Sequence, residues 1–196
     1  MYTSRTGLIL GFHGTDESIV TSVLNGEKDL EPSNNSYDWL GNGIYFWDNS
    51  PSRALAWAEE LSKRKNSKIT KPAVIGAIID LGYCLDLLDY QNLELVKGGY
   101  SILSTSLKKS NTKMPHNTGV TPDLLQRELD CAVIETLHQS LKSAGQREFD
   151  SVRGVFWEGD ELYLNAGFRE KDHIQICIRD LNCIKGYFLP LKRITE

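Results

Sequence analysis

The segment Leu40-Gly41-Asn42-Gly43-Ile44-Tyr45-Phe46-Trp47-Asp48-Asn49-Ser50-Pro51-Ser52-Arg53-Ala54 combines a glycine turn, a strand and the start of a helix. Gly41 and Gly43 permit backbone dihedrals that other residues avoid, and they let another group approach closely. The aliphatic and aromatic residues after them favour a strand. Ser50 is expected to cap the following helix, with Pro51 in its first turn. The segment predicts that Tyr45 is held rigidly at a turn, where its ring either stacks on a flat heterocycle or packs in the core.

The composition is that of a globular chain. The protein has 196 residues, of which 40% are hydrophobic, so we predict one domain covering residues 1–196. The net charge of −4 and a pI near 5.6 give no electrostatic footprint for nucleic acid, although a local basic patch would not show in these totals.

The cysteines do not have the short paired spacings of zinc sites, and we expect no metal. They lie in apolar runs, which favours buried, reduced thiols at Cys84, Cys131, Cys177 and Cys183. A signal peptide and a segment of membrane-spanning length are both absent from the sequence, which predicts a cytoplasmic protein. Secretion by a route without a signal peptide would look the same.

The order of predicted elements indicates an α+β fold. Strands are predicted at 7–12 and 73–79, and a helix capped by Asp16 and ended by Gly26 follows the first strand. The longest helix is predicted to open at Thr121-Pro122, and residues 89–109 are weakly helical with a break at Gly98-Gly99. Further strands are expected at 150–157, 173–178 and 183–189. The chain lacks the Gly-x-Gly-x-x-Gly fingerprint after a strand, so a Rossmann NAD site is not supported.

Two motifs in the first sixty residues resemble the ADP-ribosyltransferase superfamily, in its poly(ADP-ribose) polymerase-like and diphtheria-toxin-like branch. The first is His13-Gly14-Thr15, and the second is Gly41-Asn42-Gly43-Ile44-Tyr45-Phe46, followed by Ser52-Arg53-Ala54. Each motif is common alone, but their order and spacing are fairly specific. The resemblance implies two small, twisted, mainly antiparallel sheets flanked by helices, with an NAD cleft between the sheets.

The resemblance also implies roles for individual residues. His13 would bind the adenosine-side ribose, Gly14 would pair through its backbone with the carboxamide, and Thr15 would add a polar contact. Tyr45 would stack on the nicotinamide, beside the glycine turn at Gly43. A second aromatic on the next helix completes a sandwich in many members. The gapless match places Ala56 there, so Trp57 either substitutes for that aromatic or belongs to the core.

The catalytic glutamate of the family begins a late strand, which matches residues 173–178. Alternation places Gln175 on one face with His173 and Cys177, and the isoleucines on the other. We predict Gln175 at the catalytic position. An amide carries no charge and cannot act as a base. Glu170 and Asp172, just before the strand, are therefore alternative sources of the carboxylate.

The resemblance implies an NAD-dependent ADP-ribosyltransferase that modifies a macromolecular acceptor, with toxins and effectors among the functions it suggests. The chemistry would pass through an oxocarbenium-like transition state. Three alternatives remain: an NAD glycohydrolase, an RNA 2′-phosphotransferase-like enzyme, and a non-catalytic module that binds NAD or ADP-ribose. The acceptor, whether protein or nucleic acid, and any antitoxin or immunity partner cannot be read from the sequence.

Overall fold

The computed structural model describes residues 7–119, 121 and 123–191. The helices in these ranges are α1 (Glu17–Leu24), α2 (Pro51–Ser62), α3 (Tyr90–Lys109) and α4 (Glu128–Ser143). The strands are β1 (Ile9–Asp16), β2 (Ile44–Asp48), β3 (Pro72–Ile79), β4 (Cys84–Asp86), β5 (Asn117–Thr118), β6 (Gln126–Arg127), β7 (Ser151–Phe156), β8 (His173–Ile178) and β9 (Ile184–Phe188), with a 3₁₀ turn at Leu181–Cys183.

The described strands form one large mixed sheet, so the predicted α+β class is confirmed. Seven strands follow the order β4-β7-β8-β2-β1-β3-β9, and β5 and β6 form a separate small ladder. β4 and β7 are parallel, whereas every other neighbouring pair is antiparallel. The resemblance implied two separate sheets, but the two halves are continuous through the β1–β2 pairing. That link consists of two residue pairs, Gly11 with Asp48 and Phe12 with Trp47.

Helices cover the two faces of the sheet differently. The α1 face carries Ile44, Phe46 and Ile176, which pack with α1 in the largest hydrophobic cluster. On the opposite face, called here the α2/α4 face, Ala54 of α2 packs against Phe12 and Trp47. Ile134 and Leu137 of α4 pack on the same face against Val152 and Cys177. The middle of the α2/α4 face, between these two helices, is where β2 and β8 lie side by side.

Of the two predicted helix caps, Asp16 makes a capping hydrogen bond through its side chain and Ser50 does not. Asp16 caps α1 as predicted: its carboxylate accepts the Ser18 N–H (3.0 Å), and also the Thr70 and Lys71 N–H groups of the segment before β3. These bonds hold the pKa of the carboxyl well below its usual range. Ser50 occupies the cap position of α2, but its hydroxyl makes no capping bond, so this detail of the prediction was wrong. Pro51 at the first helical position supplies the start signal instead.

The helices of the second half were predicted poorly. α3 is the longest described helix and runs through Gly98 and Gly99 without a break, because Gly99 lies against α4. A Cβ at this position would lie 3.1 Å from the Val133 carbonyl oxygen. α4 begins at Glu128, not at Thr121, because the preceding residues form β6. Pro122 lies outside the described residues.

Candidate functional site

The pairing between β1 and β2 stops at Phe12–Trp47, and the stretch beyond it is called here the β1–β2 gap. In a continued antiparallel ladder, Gly14 would lie opposite Tyr45. The His13 ring takes that place instead: its Nδ1 lies 2.8 Å from the Tyr45 carbonyl oxygen. The side chain thereby replaces a backbone donor and ends the ladder.

The polar backbone groups of Gly14 point into this gap. The Asn49 N–H donates to the Leu10 carbonyl (2.9 Å), so the N–H and C=O groups of Leu10 face β2. Backbone groups alternate in direction along a strand, so those of Phe12 and Gly14 face the same way. Gly14 keeps its register with Val74 of β3 but is not paired with β2. A donor and an acceptor therefore stand side by side on a buried residue that faces the gap.

His13 is a neutral ring with one nitrogen left for a ligand. A carbonyl oxygen only accepts, so Nδ1 carries the proton and donates to Tyr45. Burial lowers the pKa of His13 below its usual 6.5, and Nε2 is then an acceptor at pH 7. The ring lies edge-on to Phe46, with 5.9 Å between centroids. Alternation places Thr15 on the same face as His13.

Gly14 is required for the contact between β1 and α2. A Cβ at this position would lie 2.0 Å from the Ala54 carbonyl oxygen and 3.2 Å from the Ala58 Cβ. No other residue fits without moving the helix. The glycine of the His-Gly-Thr motif therefore has two structural consequences: it allows α2 to pack closely on β1, and its backbone polar groups face the gap.

Tyr45 does not face His13 across a cleft. Its hydroxyl donates to the Gly41 carbonyl (2.8 Å) and accepts the Leu40 N–H (2.9 Å), which fastens the glycine turn. The ring packs on the α2/α4 face beside Cys177, and burial raises its pKa. The two side chains lie on opposite faces because the Tyr45 carbonyl, not its ring, is directed at His13. The expectation that both residues line one NAD cleft stays a prediction.

The other residues expected to bind the cofactor have structural partners. Gly43 has φ +156°, and its N–H and C=O are both bonded to Ser33 (3.0 and 2.8 Å). Trp57 packs against Trp47 with 5.4 Å between ring centroids, in the cluster that contains Phe12. Of its two predicted roles, the position in the core fits this contact.

Gln175 lies on the α2/α4 face as alternation predicts, whereas Ile176 and Ile178 are buried on the other. Its position on β8 is opposite Trp47 of β2. The Trp39 indole N–H donates to the Gln175 Oε1 (2.6 Å), which leaves the amide N–H₂ of Gln175 as a further donor. This arrangement can bind a hydroxyl or carbonyl oxygen, but it supplies no charge.

A charged and aromatic cluster begins next to Gln175. Arg53 of α2 donates through Nη2 to both carboxylate oxygens of Glu158, each at 2.8 Å, and its guanidinium carbon lies 5.8 Å from the centre of the Trp47 ring. His173, at the start of β8, lies 6.1 Å from the Trp47 ring and has its Nδ1 3.9 Å from Glu158. The side chains of Arg53 and Glu158 are about nine-tenths buried, with 10% and 11% exposed.

Several nitrogens of this cluster are buried without a hydrogen-bond partner: Trp47 Nε1, Arg53 Nε and Nη1, and His173 Nε2. Burial lowers the pKa of His173 to about 4, so the ring is neutral at pH 7. Its Nδ1 donates to the Lys171 carbonyl, which leaves Nε2 as an acceptor. Unpaired buried donors and acceptors are rare and costly in folded proteins, so the cluster has spare capacity to bind polar groups.

The two carboxylates that precede β8, Glu170 and Asp172, lie in other surroundings than predicted. Asp172 accepts the Glu158 and Arg169 N–H groups and shapes the loop between β7 and β8. Glu170 is exposed and borders a cavity of about 250 Å³. Among the described residues, the buried glutamate is Glu158, which the sequence pattern did not single out. The available signal was an acid directly after the apolar, aromatic end of the strand predicted at 150–157.

Comparison with known proteins finds similarity to an uncharacterized protein, which carries no functional information. The chain is 25% identical over 193 residues to the uncharacterized protein MJ0359 of Methanocaldococcus jannaschii, a match that covers 89% of this chain and 83% of the relative. No family model matches the chain, and no solved structure matches it. The site must therefore be interpreted from its own geometry.

The described ranges contain neither a membrane-spanning helix nor a metal-binding group of side chains. Among residues 7–119, 121 and 123–191, no helix is both long enough and apolar enough to cross a bilayer. Within the same ranges, no three histidine, cysteine, aspartate or glutamate side chains come together as a metal-binding group.

Proposed function

We propose that the protein binds NAD at the β1–β2 gap and transfers its ADP-ribose group to a macromolecular acceptor. The observation that carries the proposal is the pair of backbone groups on Gly14, which are unpaired toward β2 because His13 bonds to the Tyr45 carbonyl. A primary carboxamide has one acceptor oxygen and one donor nitrogen, which complement an N–H and a C=O on the same residue. Nicotinamide carries such a group.

The surroundings of the gap suit the rest of a dinucleotide. His13 Nε2 is an acceptor for a ribose hydroxyl, and the glycine turn beside it is fastened by Tyr45. The turn is also braced from α4, because Glu135 accepts the Asn42 N–H (2.8 Å) and pairs with Arg179. A rigid site loses little entropy when a ligand binds.

The proposed reaction breaks the bond between ribose C1′ and the nicotinamide nitrogen. The bonding electron pair moves to that nitrogen, which loses its formal positive charge, and neutral nicotinamide leaves. A lone pair of the acceptor then forms a bond to C1′, and the acceptor releases its proton. Water as the acceptor would make the same site an NAD glycohydrolase. Gln175 favours a second candidate, a non-catalytic NAD-binding module, because no charge stands at that position.

A direct test incubates the purified protein with NAD labelled in the adenylate and with cell lysate. The proposal expects nicotinamide release and label on protein or nucleic acid, and free labelled ADP-ribose would indicate the glycohydrolase. A His13→Ala variant, which loses the bond to Tyr45, should bind NAD about 10-fold more weakly or worse, the cost of about one hydrogen bond to a buried group. Wild-type protein that neither binds NAD nor releases nicotinamide would refute the proposal.

A further inference from the structure

We infer that the acceptor is a single strand of nucleic acid, bound through its phosphates by the loop between α2 and β3. This loop, residues 63–71, is called here the basic loop. Because the whole chain has a net charge of −4 and the loop has five cations and no acid, the remainder carries −9. As a statement about the acceptor, this inference rests on the proposed function. The five cations are Lys63, Arg64, Lys65, Lys68 and Lys71.

Most cations of the basic loop form no ion pair within the described part of the chain. Lys71 lies 3.3 Å from Glu17, and both side chains are largely exposed. The cations that no ion pair between described residues includes, all of them exposed, are Lys63, Arg64, Lys65 and Lys68. The dipole of α2 favours a cation at its C-terminus, which accounts for Lys63 but not for Lys68, beyond the end of the helix. The cluster therefore has charge to offer to a partner.

The backbone of the basic loop is held at a turn and at its end. The Ser67 N–H donates to the Arg64 carbonyl (3.1 Å), which closes a turn. The N–H groups of Thr70 and Lys71 donate to the Asp16 carboxylate (2.7 and 2.9 Å). A loop that is ordered before it binds loses less entropy in the complex than a flexible one.

The bonds to Asp16 place the basic loop beside the β1–β2 gap. The gap opens toward the C-terminal end of β1, because the pairing with β2 stops at Phe12. At that end β1 stays paired with β3, with Gly14 opposite Val74 and Asp16 opposite Pro72. The basic loop ends three residues before Val74, which corresponds to about 10 Å along a strand. A polymer bound to the loop therefore lies close to the proposed NAD site.

The composition of the basic loop fits a phosphate backbone better than a lipid surface or a protein partner. Phosphates are bound by Lys, Arg, Ser, Thr and Asn side chains, and apart from Ile69 the loop consists only of these types. Membrane-binding segments add exposed apolar side chains, whereas Ile69 is half-buried. Protein interfaces are enriched in aromatic residues and poor in lysine, and this loop has four lysines and no aromatic residue.

A single strand also suits the transfer chemistry better than a duplex does. Enzymes that modify a base act on single strands or first extrude the base from the duplex. In the transfer step, a lone pair of a base amine or a sugar hydroxyl forms a bond to ribose C1′. The C1′–nitrogen bond breaks with its electron pair moving to nicotinamide, and the proton of the amine or hydroxyl passes to water.

The test measures fluorescence anisotropy of a labelled single strand of about 15 nucleotides, prepared as RNA and as DNA. The loop variant combines Lys63→Gln, Arg64→Gln, Lys65→Gln and Lys68→Gln. The control variant removes four exposed cations elsewhere by Lys108→Gln, Lys109→Gln, Lys113→Gln and Lys142→Gln. Both variants change the net charge from −4 to −8, since each loses four positive charges. We expect the loop variant to bind either strand about 30-fold more weakly than wild type, and the control to stay within about 3-fold.

Two further measurements identify the contacts as phosphate contacts. A plot of log affinity against log salt concentration should have a slope of about −3 for wild type, the value for about four phosphates of a single strand, and a much smaller slope for the loop variant. A variant with Lys63→Arg, Lys65→Arg and Lys68→Arg should keep the affinity, because it keeps the charges.

Equal affinities of the loop and control variants, both shown to be folded by thermal unfolding, would overturn the inference. Tighter binding of a duplex, of polyglutamate or of anionic vesicles than of the single strand would also overturn it. Wild-type protein that releases nicotinamide but binds no strand would refute the inference alone. Wild-type protein that binds the strand but not NAD would count against the proposed function and leave the basic loop as a site for nucleic acid.

Discussion

At the scale of single residues, Gly14 has the strictest requirement in the site. We predict that Gly14→Ala destabilises the protein by about 2–4 kcal/mol, because the new methyl group would lie 2.0 Å from the Ala54 carbonyl oxygen and push α2 away. Denaturant unfolding measures this free energy. Gly186→Ala in β9 is the matched control, since a Cβ there meets nothing within 4 Å, and it should change stability by less than about 0.5 kcal/mol. Equal effects of the two variants would contradict this packing of α2 on β1.

At the scale of elements, strands were predicted better than helices. The strand at 173–178 was predicted with its observed bounds, and its two faces followed from the alternation of isoleucines with polar residues. α3 was predicted at 89–109 as weakly helical with a break, because its two glycines lower helix propensity. The helix continues through them, and the close approach of α4 to Gly99 involves residues far away in the sequence. α4 was predicted to begin too early. The residues before it form β6, which pairs with β5 over only two residues and is too short to show a strand periodicity in the sequence.

The site was predicted at the same scale with mixed results. The resemblance placed His13, Gly14 and Gln175 at one cleft, and their strands, β1 and β8, lie on either side of β2 in the middle of the sheet. The direction of the Tyr45 ring and the ion pair of Arg53 with Glu158 depend on contacts between distant segments, so the sequence did not reveal them. In the sequence, Glu158 is one acidic residue after a strand, and only the structure shows that it pairs with Arg53.

At the scale of the whole molecule, buried histidines should make the protein sensitive to acid. Burial lowers the pKa values of His13, His138 and His173, the last to about 4. In the unfolded chain these histidines bind protons near pH 6.5, whereas in the folded chain they stay neutral to lower pH. The free energy of unfolding should therefore fall as the pH drops from about 6.5 to 4. His173 alone should account for roughly 3 kcal/mol of this loss.

Urea unfolding at pH 7 and pH 4.5 measures the effect. His173→Gln, which cannot titrate, should lose less stability over this interval than the wild type. Unfolding free energies that do not differ between pH 7 and pH 4.5 would contradict the burial of these rings as described.

The central claim is that the backbone N–H and C=O groups of Gly14, which face the β1–β2 gap, recognise a primary carboxamide. Its most direct test is an NMR titration of ¹⁵N-labelled protein with nicotinamide and, separately, with nicotinic acid. Nicotinic acid has the same ring but a carboxylate, which cannot donate to the Gly14 carbonyl. The account predicts that nicotinamide shifts the Gly14 amide resonance saturably and that nicotinic acid shifts it far less. The amide resonance of Gly76, which lies inside the β1–β3 pairing, should not shift with either compound. A Gly14 resonance that does not move with nicotinamide, or that moves equally with both compounds, would contradict it.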